Sequence, residues 1–451
     1  MIATKKTTVN TLEPIRTVQA KGPIASLCFV GDAGQTSFDT KDGGDQDDGS
    51  SCSSTDSDLN FRCSSLRLDN NKQEAATFNQ ETPLTFSKRH LVTCQSDGIV
   101  HLWDLSKQQI SCNVPTNRGG PGLAVRRVGS HLALSSTSDC PTTGCTFLCH
   151  TRDPIGTVSI HSLGRDDCPM ERHFETHSQT FCAAAPCLGS HNLFALPSHQ
   201  ESSVVVVDTR EKLPIAVVPF QSHGMVTSLA MSTTNGTNSG RPILACGMES
   251  GSIFFHDFSL GGIPTTKGEC NLSKDPILSM DLAPSIASSA DSVIAVAGMA
   301  GDAADMNDLP LEEQGRVALI KATSTNTSNE AAVDSNDGTF QGKPSESSWN
   351  IRIRSRLSTC RIDDETSGGK PGVSICRFQP GETRLFAVGG WDKRIRLFDR
   401  ATGDPKAILR GYRNSVDCLD WAPDADESGL LATSAVVENR IHIWQCYGKS
   451  R

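Results

Sequence analysis

The chain has 451 residues, 17 cysteines, five tryptophans and a formal net charge of −9. That length exceeds what one ordinary hydrophobic core serves, so several domains or a ring of small cores is required. The acidic balance argues against a nucleic-acid binder, and no apolar run reaches the roughly 18 residues needed to cross a bilayer as a helix.

The opening MIATKKTTVN lacks the apolar core of a signal peptide, which points to the nucleus and cytoplasm. In such reducing surroundings the scattered cysteines, several inside predicted strands (Cys94, Cys246, Cys376, Cys418), are expected as thiols. PIRTVQA (14–20) reads as a strand ahead of the first repeat. Residues 31–60 then hold eight Asp, no Glu and one Lys, or −7 of the total −9. Their Gly, Ser and Asp content offers little apolar surface to offset ordering, so a disordered acidic insertion is expected over 31–83.

Beyond it one unit recurs: HLVTCQSDGIVHLWDL (90–105), ILACGMESGSIFFHDF (243–258), LFAVGGWDKRIRLFD (385–399) and LLATSAVVENRIHIWQC (430–446). Each has an apolar run, a turn such as Ser96-Asp97-Gly98, and a strand alternating with period two as in Ile99, His101, Trp103. Aromatic-Asp endings mark WD repeats. Three-strand sets (a, b, c) fall near 24–105, 123–163, 181–209, 226–258, 277–322, 373–399 and 416–446, each followed by an outer strand d except the last. The expectation is an all-β, seven-bladed WD-repeat β-propeller over 11–449, the acidic insertion lying within blade 1. It would be closed by the N-terminal segment as the missing outer strand, with a flexible loop at 323–348 between blades 5 and 6. The repeats are degenerate: His223 stands in the usual His position of one unit, the last unit has Gly411-Tyr412-Arg413 there, and units two, three and five lack the Trp.

No constellation of residues demands catalysis. Cys140, Cys145, Cys149, His161, Cys168, His173, His177, Cys182 and Cys187 lack the paired short spacings of a zinc site and read better as loop or core residues. GGPG (119–122) and SGGKPG (367–372) match no phosphate loop. Arg352, Arg354 and Arg356 alternate on one predicted strand face, with no interleaved aromatics for stacking bases, and read as a charged outer edge. Val207-Asp208-Thr209-Arg210 is similar to a docking motif of substrate receptors for cullin-type ubiquitin ligases, though a Val replaces the Trp; a strand-end Asp and Arg is the plainer reading. A ligand-binding propeller enzyme would need ionisable groups converging in the central channel, and the sequence singles out no such set. No catalytic residue, cofactor or metal is expected.

FAVGGWDKRIRLFDRATGDPKAILRGYRNSVDCLDWAP, the ending LLATSAVVENRIHIWQCY, and the opening PIRTVQAKGPIASLCF with LVTCQSDGIVHLWDL resemble the family containing ASTRA-associated protein 1 and the G-protein β-subunit-like protein 1. The resemblance is strong at both ends and weak between about 106 and 350. It implies a propeller without catalytic activity, working as a scaffold in ASTRA- and TTT-type assemblies. These act with chaperones to mature phosphatidylinositol-3-kinase-like kinases and take part in chromatin regulation. The implied partners are kinase-maturation adaptors and chaperone complex subunits, bound by a monomer within a hetero-complex, with no membrane and no direct nucleic acid. The short stretch before the first strand leaves no room for the coiled-coil helix of a true G-protein β subunit. Trp391, Asp392, Lys393 and Arg394 form the most family-like turn: either partner contacts, or blade packing and turn capping.

Overall fold

The computed structural model describes residues 10–12, 14–31, 89–114, 116, 120–128, 146–163, 168–190, 192–220, 222–234, 241–258, 265–284, 292–301, 316–325, 348–357, 372–380, 384–422 and 429–446. All lie in the unit formed by Met1–Ala33 and Ser87–Arg451. Except for their end residues, the acidic insertion and the 323–348 loop fall outside the described residues.

Every regular element among the described residues is a strand. Two short ones, β1 (Asn10–Leu12) and β2 (Arg16–Gln19), precede the repeats. Successive sets of four follow: β3 (Ile24–Gly31), β4 (Arg89–Gln95), β5 (Val100–Asp104) and β6 (Gln109–Val114); β7 (Gly122–Val128), β8 (Thr146–Thr151), β9 (Thr157–Ser162) and β10 (Met170–Glu175); β11 (Ala185–Leu188), β12 (Leu193–Pro197), β13 (Ser203–Asp208) and β14 (Ala216–Pro219); β15 (Val226–Thr233), β16 (Pro242–Met248), β17 (Ser252–Asp257) and β18 (Thr265–Asn271). Next come β19 (Ile277–Pro284), β20 (Ser292–Met299), β21 (Val317–Thr325) and β22 (Ser348–Leu357), then β23 (Val373–Phe378), β24 (Leu385–Gly390), β25 (Ile395–Asp399) and β26 (Pro405–Leu409). The last set has three, β27 (Cys418–Trp421), β28 (Leu430–Ser434) and β29 (Arg440–Gln445).

Each set is an antiparallel meander. β11 also pairs in parallel with β15 through Cys187 and Met231, which joins two sets into one eight-stranded sheet. The innermost strands touch in sequence, β3 to β7, β11, β15, β19, β23 and β27, and β27 returns to β3. Middle strands are buried on both faces: β16 (PILACGM), β17 (SIFFHD) and β24 (LFAVGG) read as nearly continuous apolar runs. Outer strands have one open face, so β6 and β14 alternate. The core is divided among the joints between sets. One cluster packs Ala185, Val204 and Val218 against Val226, Leu244 and Phe254; another packs Val296 and Leu319 against Val373, Phe386 and Phe398.

The joint between the last and first sets is built differently. β2 pairs antiparallel with β29, Arg16 opposite Ile443 through Gln19 opposite Arg440, and supplies the fourth strand that the last set lacks. Thr17 meets His442 Nδ1 at 2.9 Å, and Arg16 Nη1 donates to the Leu105 carbonyl at 2.8 Å, so β2 also grips the first set. At the inner radius the Phe29 amide donates to Asp420 Oδ2 at 2.9 Å. β1, which no repeat pattern announces, adds in parallel to β26 as a fifth strand.

Degenerate repeats handle their interior polar groups in different ways, pairing some and leaving others, such as both ring nitrogens of His256, without a hydrogen-bond partner. Trp103 Nε1 donates to Thr93 Oγ1 at 2.9 Å in the first set, and Trp444 Nε1 to Thr433 Oγ1 at 2.7 Å in the last. There Tyr412, standing where a His is usual, places its hydroxyl 2.6 Å from Thr433 Oγ1 and completes the network. His223 does not: it is half-buried against Phe254, ring centroids 4.7 Å apart. In place of a Trp, His256 packs edge-on to Phe220, and burial lowers its pKa to about 4, so it is a neutral core group.

Deleting residues 11–20 exposes the β29 edge and strips Val18 and Ala20, each 5% exposed, from the core. The expected loss is about 3 kcal/mol or more, visible as a large drop in melting temperature; an unchanged melting curve would contradict closure by β2.

Candidate functional site

Because the strands of each set alternate in direction, the b–c hairpin turns and the connections from one set to the next emerge at the same end of the strands. This rim holds the turn singled out by the sequence. In it Lys393 takes a left-handed φ of 69° and is exposed, Trp391 and Arg394 are half-buried, and the Asp392 side chain is only 8% exposed. Asp392 grips Arg396 with both oxygens, at 2.6 and 3.0 Å. The Trp391 amide donates to the Gly372 carbonyl at 3.1 Å, and its ring lies so near Gly372 that a Cβ there would sit 2.4 Å from it. Gly120 does similar work at another joint, packed against Asp153 and Gly98. The described glycines of the two Gly-rich runs are thus close-packing residues of the rim. Asp392 serves the turn; Lys393 offers its charge to solvent.

The same rim carries large apolar side chains, among them Ile99, which the alternation assigns to a strand but which precedes β5, and Phe181 and Val437, which no sequence pattern marks. Ile99 in the β4–β5 turn is 46% exposed, Phe181 between β10 and β11 is 76% exposed, and Val437 in the β28–β29 turn is 72% exposed. Phe181 lies under the Arg152 guanidinium, 4.2 Å from its ring centroid. With Trp391 they occupy successive parts of the ring: the sixth set, the seventh, the first, and the joint of the second and third. Isolated exposed apolar residues are ordinary. Their placement on one rim, with cations beside two of them, gives an amphipathic surface suited to protein partners. Only a periodicity break could have flagged them in sequence, and turn residues have no periodicity.

The inner strands correct one expectation, since ionisable groups do converge on the ring axis. β7 contributes Arg126 and Arg127, β19 Asp281 and β27 Asp420, all half-buried; Arg126 acts on both carboxylates and Arg127 on Asp420. Desolvation raises both carboxyls, Asp281 to about 7, while the arginines oppose the rise. The sequence hid this because the residues lie in separate repeats. Each carboxylate is committed to the fold: Asp281 Oδ2 accepts the Phe378 amide at 2.7 Å, as Asp420 accepts that of Phe29. Both stand in matching x-Asp-x-Ala-Pro segments, Met280–Pro284 and Leu419–Pro423. Arg377 Nη1 donates to the Met280 carbonyl at 3.3 Å, and Trp421 Nε1 to that of Arg377 at 3.2 Å, continuing the stitching from strand to strand.

The remaining candidates disperse. Cys140 and Cys145 lie outside the described residues. Cys149 is buried in β8, Cys182 and Cys187 belong to the cluster of the third and fourth sets, and His161 stacks on Phe147 with its Nε2 2.9 Å from Ser159 Oγ. His173 and His177 border an open cleft of about 450 Å³ with Val205, Val207 and Leu213. Among the described residues no three His, Cys, Asp or Glu side chains converge as metal ligands. Arg210 folds back on Asp208 with contacts of 2.6 to 3.2 Å, which holds the Asp208 carboxyl below its usual range. Arg352, Arg354 and Arg356 do not share one face. A register shift near Ile353 and Ser355 separates them: Arg356 Nη2 reaches the Leu272 carbonyl and Arg354 Nη2 that of Ala401, each at 2.7 Å. They tie β22 to the sets on either side.

No family model matches the chain. It is 23% identical over 374 residues to mouse guanine nucleotide-binding protein subunit beta-like protein 1, an alignment spanning 81% of this chain and 88% of that protein. Among solved structures it is similar to the β-propeller domain of Myceliophteria thermophila Cps50 (Swd1), with a TM-score of 0.51 and 14% identity over 79% of this chain and 94% of that one. The fold is therefore an all-β WD-repeat β-propeller, a frame generally used for binding proteins rather than for catalysis.

Substitutions at two carboxylates probe this geometry. Asp392→Ala strands the guanidinium of Arg396, itself 8% exposed, and is expected to cost about 3 kcal/mol in chemical denaturation; Arg396→Met added to it should recover much of the loss. Asp281, with a pKa of about 7 in the fold against roughly 3.9 unfolded, contributes stability that is full below pH 4 and lost as pH rises to 7. Asp281→Asn keeps an acceptor for Phe378 without the charge, so the variant should gain about 1–2 kcal/mol on wild type between pH 5 and 8; melting curves that shift in parallel would refute this.

Proposed function

We propose that this chain is a non-catalytic scaffold: a seven-bladed propeller whose rim of b–c turns and inter-blade connections holds protein partners. The observation that carries the reading is the arc of exposed Ile99, Phe181 and Val437 with half-buried Trp391 and exposed Lys393. Seven is supported by the sequence of innermost strands from β3 to β27 and back, with β2 completing the last blade. A rigid ring presents such side chains without the ordering cost a flexible surface would incur, so modest contacts from several turns can add.

The resemblance of both chain ends to the family of ASTRA-associated protein 1 and the G-protein β-subunit-like protein 1 supports a narrower assignment. In that reading the protein works in the nucleus and cytoplasm as a monomer within a co-chaperone assembly of ASTRA/TTT type. It docks adaptor and chaperone subunits during maturation of phosphatidylinositol-3-kinase-like kinases, with a part in chromatin regulation, and Trp391, Asp392, Lys393 and Arg394 lie at or beside the contact. Asp392 would act there by shaping the turn, given its bond to Arg396.

Affinity purification of the full chain from native extract, with mass spectrometry, tests both levels. Large kinases and their chaperone adaptors should co-purify, and Phe181→Ser combined with Val437→Ser and Lys393→Glu should lower their recovery at least tenfold while leaving the melting temperature within a few degrees. Recovery of a cullin and its adaptor instead would replace the assignment with the ligase reading; unchanged recovery by the triple variant would move the docking surface off this rim.

A further inference from the structure

We propose that Cys112 and Cys168 are a redox-modification site, oxidised by hydroperoxides to a disulfide that staples the outer edges of the first two blades. Their sulfurs lie 3.8 Å apart although the residues are 56 positions apart in sequence. Cys112 sits on β6, the outer strand of its sheet, and Cys168 just ahead of β10, the outer strand of the next. Among the described residues no strand pairing links those two sheets. The sulfurs meet within the apolar cluster that joins them, beside Val114, Val125 and Phe147.

Accessibility divides the roles. Cys112 is half-buried, whereas Cys168 is 1% exposed. The deep thiols nearby are poor candidates, since burial pushes Cys94 up to about 12 and Cys28 and Cys149 well above the normal range, which suppresses the reactive thiolate. Cys168 is held in place from the backbone: its carbonyl lies 3.1 Å from His161 Nδ1, and the Ser162 amide donates to the Pro169 carbonyl at 3.2 Å. A disulfide needs sulfurs about 2.05 Å apart, an approach that a side-chain rotation of Cys112 on its edge strand can supply.

The chemistry balances with one hydroperoxide. The Cys112 thiolate attacks the peroxide oxygen, the O–O bond breaks, and Cys112 becomes a sulfenic acid as hydroxide leaves and takes a proton. The Cys168 sulfur then attacks the sulfenic sulfur, forms the S–S bond and expels the oxygen as water with the Cys168 proton. For hydrogen peroxide the sum is two thiols and one peroxide giving one disulfide and two waters: the sulfur pair loses two electrons and the peroxide gains them. The product bridges a joint held near the axis by the Val125 amide donating to Ser26 Oγ at 3.1 Å and further out by side-chain packing, and shortens the unfolded chain across a long loop.

The test uses the full chain, reduced, desalted, treated with one equivalent of hydrogen peroxide, quenched with N-ethylmaleimide and digested with trypsin. The expected product is QQISCNVPTNR (108–118) linked to DDCPMER (166–172), lighter by two hydrogens than the sum of the free peptides. It should be absent in Cys112→Ser and in Cys168→Ser, retained in Cys270→Ser, and accompanied by a rise of several degrees in melting temperature that dithiothreitol reverses. Recovery of both peptides as maleimide adducts after the peroxide is consumed would overturn the proposal. So would Cys112 joined to another cysteine or carried to sulfinic acid. Circular dichroism of the two serine variants establishes that they are folded before the comparison is made.

Discussion

Everything in this molecule depends on closing the ring. A blade exposes an apolar face on each side, and each face is covered by the next blade; an unclosed end would leave two such faces in water. The joint between last and first blades is therefore fastened at two radii. Near the axis, Asp420 accepts the Phe29 amide, and the Cys418 sulfur lies 3.4 Å from the Ile24 carbonyl. At the outer edge, β2 enters the last sheet while Arg16 reaches back to Leu105 in the first. A single fastening would let the joint pivot; two hold its angle.

That arrangement also explains why the repeats tolerate so much drift. What a blade must provide is apolar cover on both sides and partners for most of the polar groups within. Trp103 with Thr93 meets the second requirement in one way, and Trp444, Thr433 and Tyr412 in another. His161, held between Ser159 and the Cys168 carbonyl, meets it with no tryptophan at all. The phenol of Tyr412 stands where an imidazole is usual and reaches the Thr433 hydroxyl from a turn.

The same logic separates what could be read in the sequence from what could not. Strand and turn chemistry is local, so GGWDKRIRLFD and QSDGIVHLWD announce hairpins whatever surrounds them, and PIRTVQA stood out as a strand with no unit of its own. Properties arising between repeats are different. Arg126, Asp281 and Asp420 lie far apart in the chain, and only the circular order brings their charges together. The register shift that parts Arg354 from Arg356 is set by the strand beneath them. Exposure of Phe181 and Val437 likewise depends on what neighbouring turns leave uncovered. Within the conspicuous turn the sequence could not divide labour; the bond to Arg396 gives Asp392 a structural part and leaves Lys393 the outward one.

The ladder between β3 and β4 pairs Gly31 directly with Arg89, and Val128 with Thr146 and Thr325 with Ser348 close their hairpins in the same manner. In each case the chain departs and re-enters through adjacent positions, at the end of the strands away from Trp391, Phe181 and Val437. Lengthening such a connection leaves the register untouched, and doubling it costs only about 0.6 kcal/mol of closure entropy. Chain added between such paired positions leaves the blades in place, and a tag or reporter domain grafted between Gly31 and Arg89 has a natural port of entry.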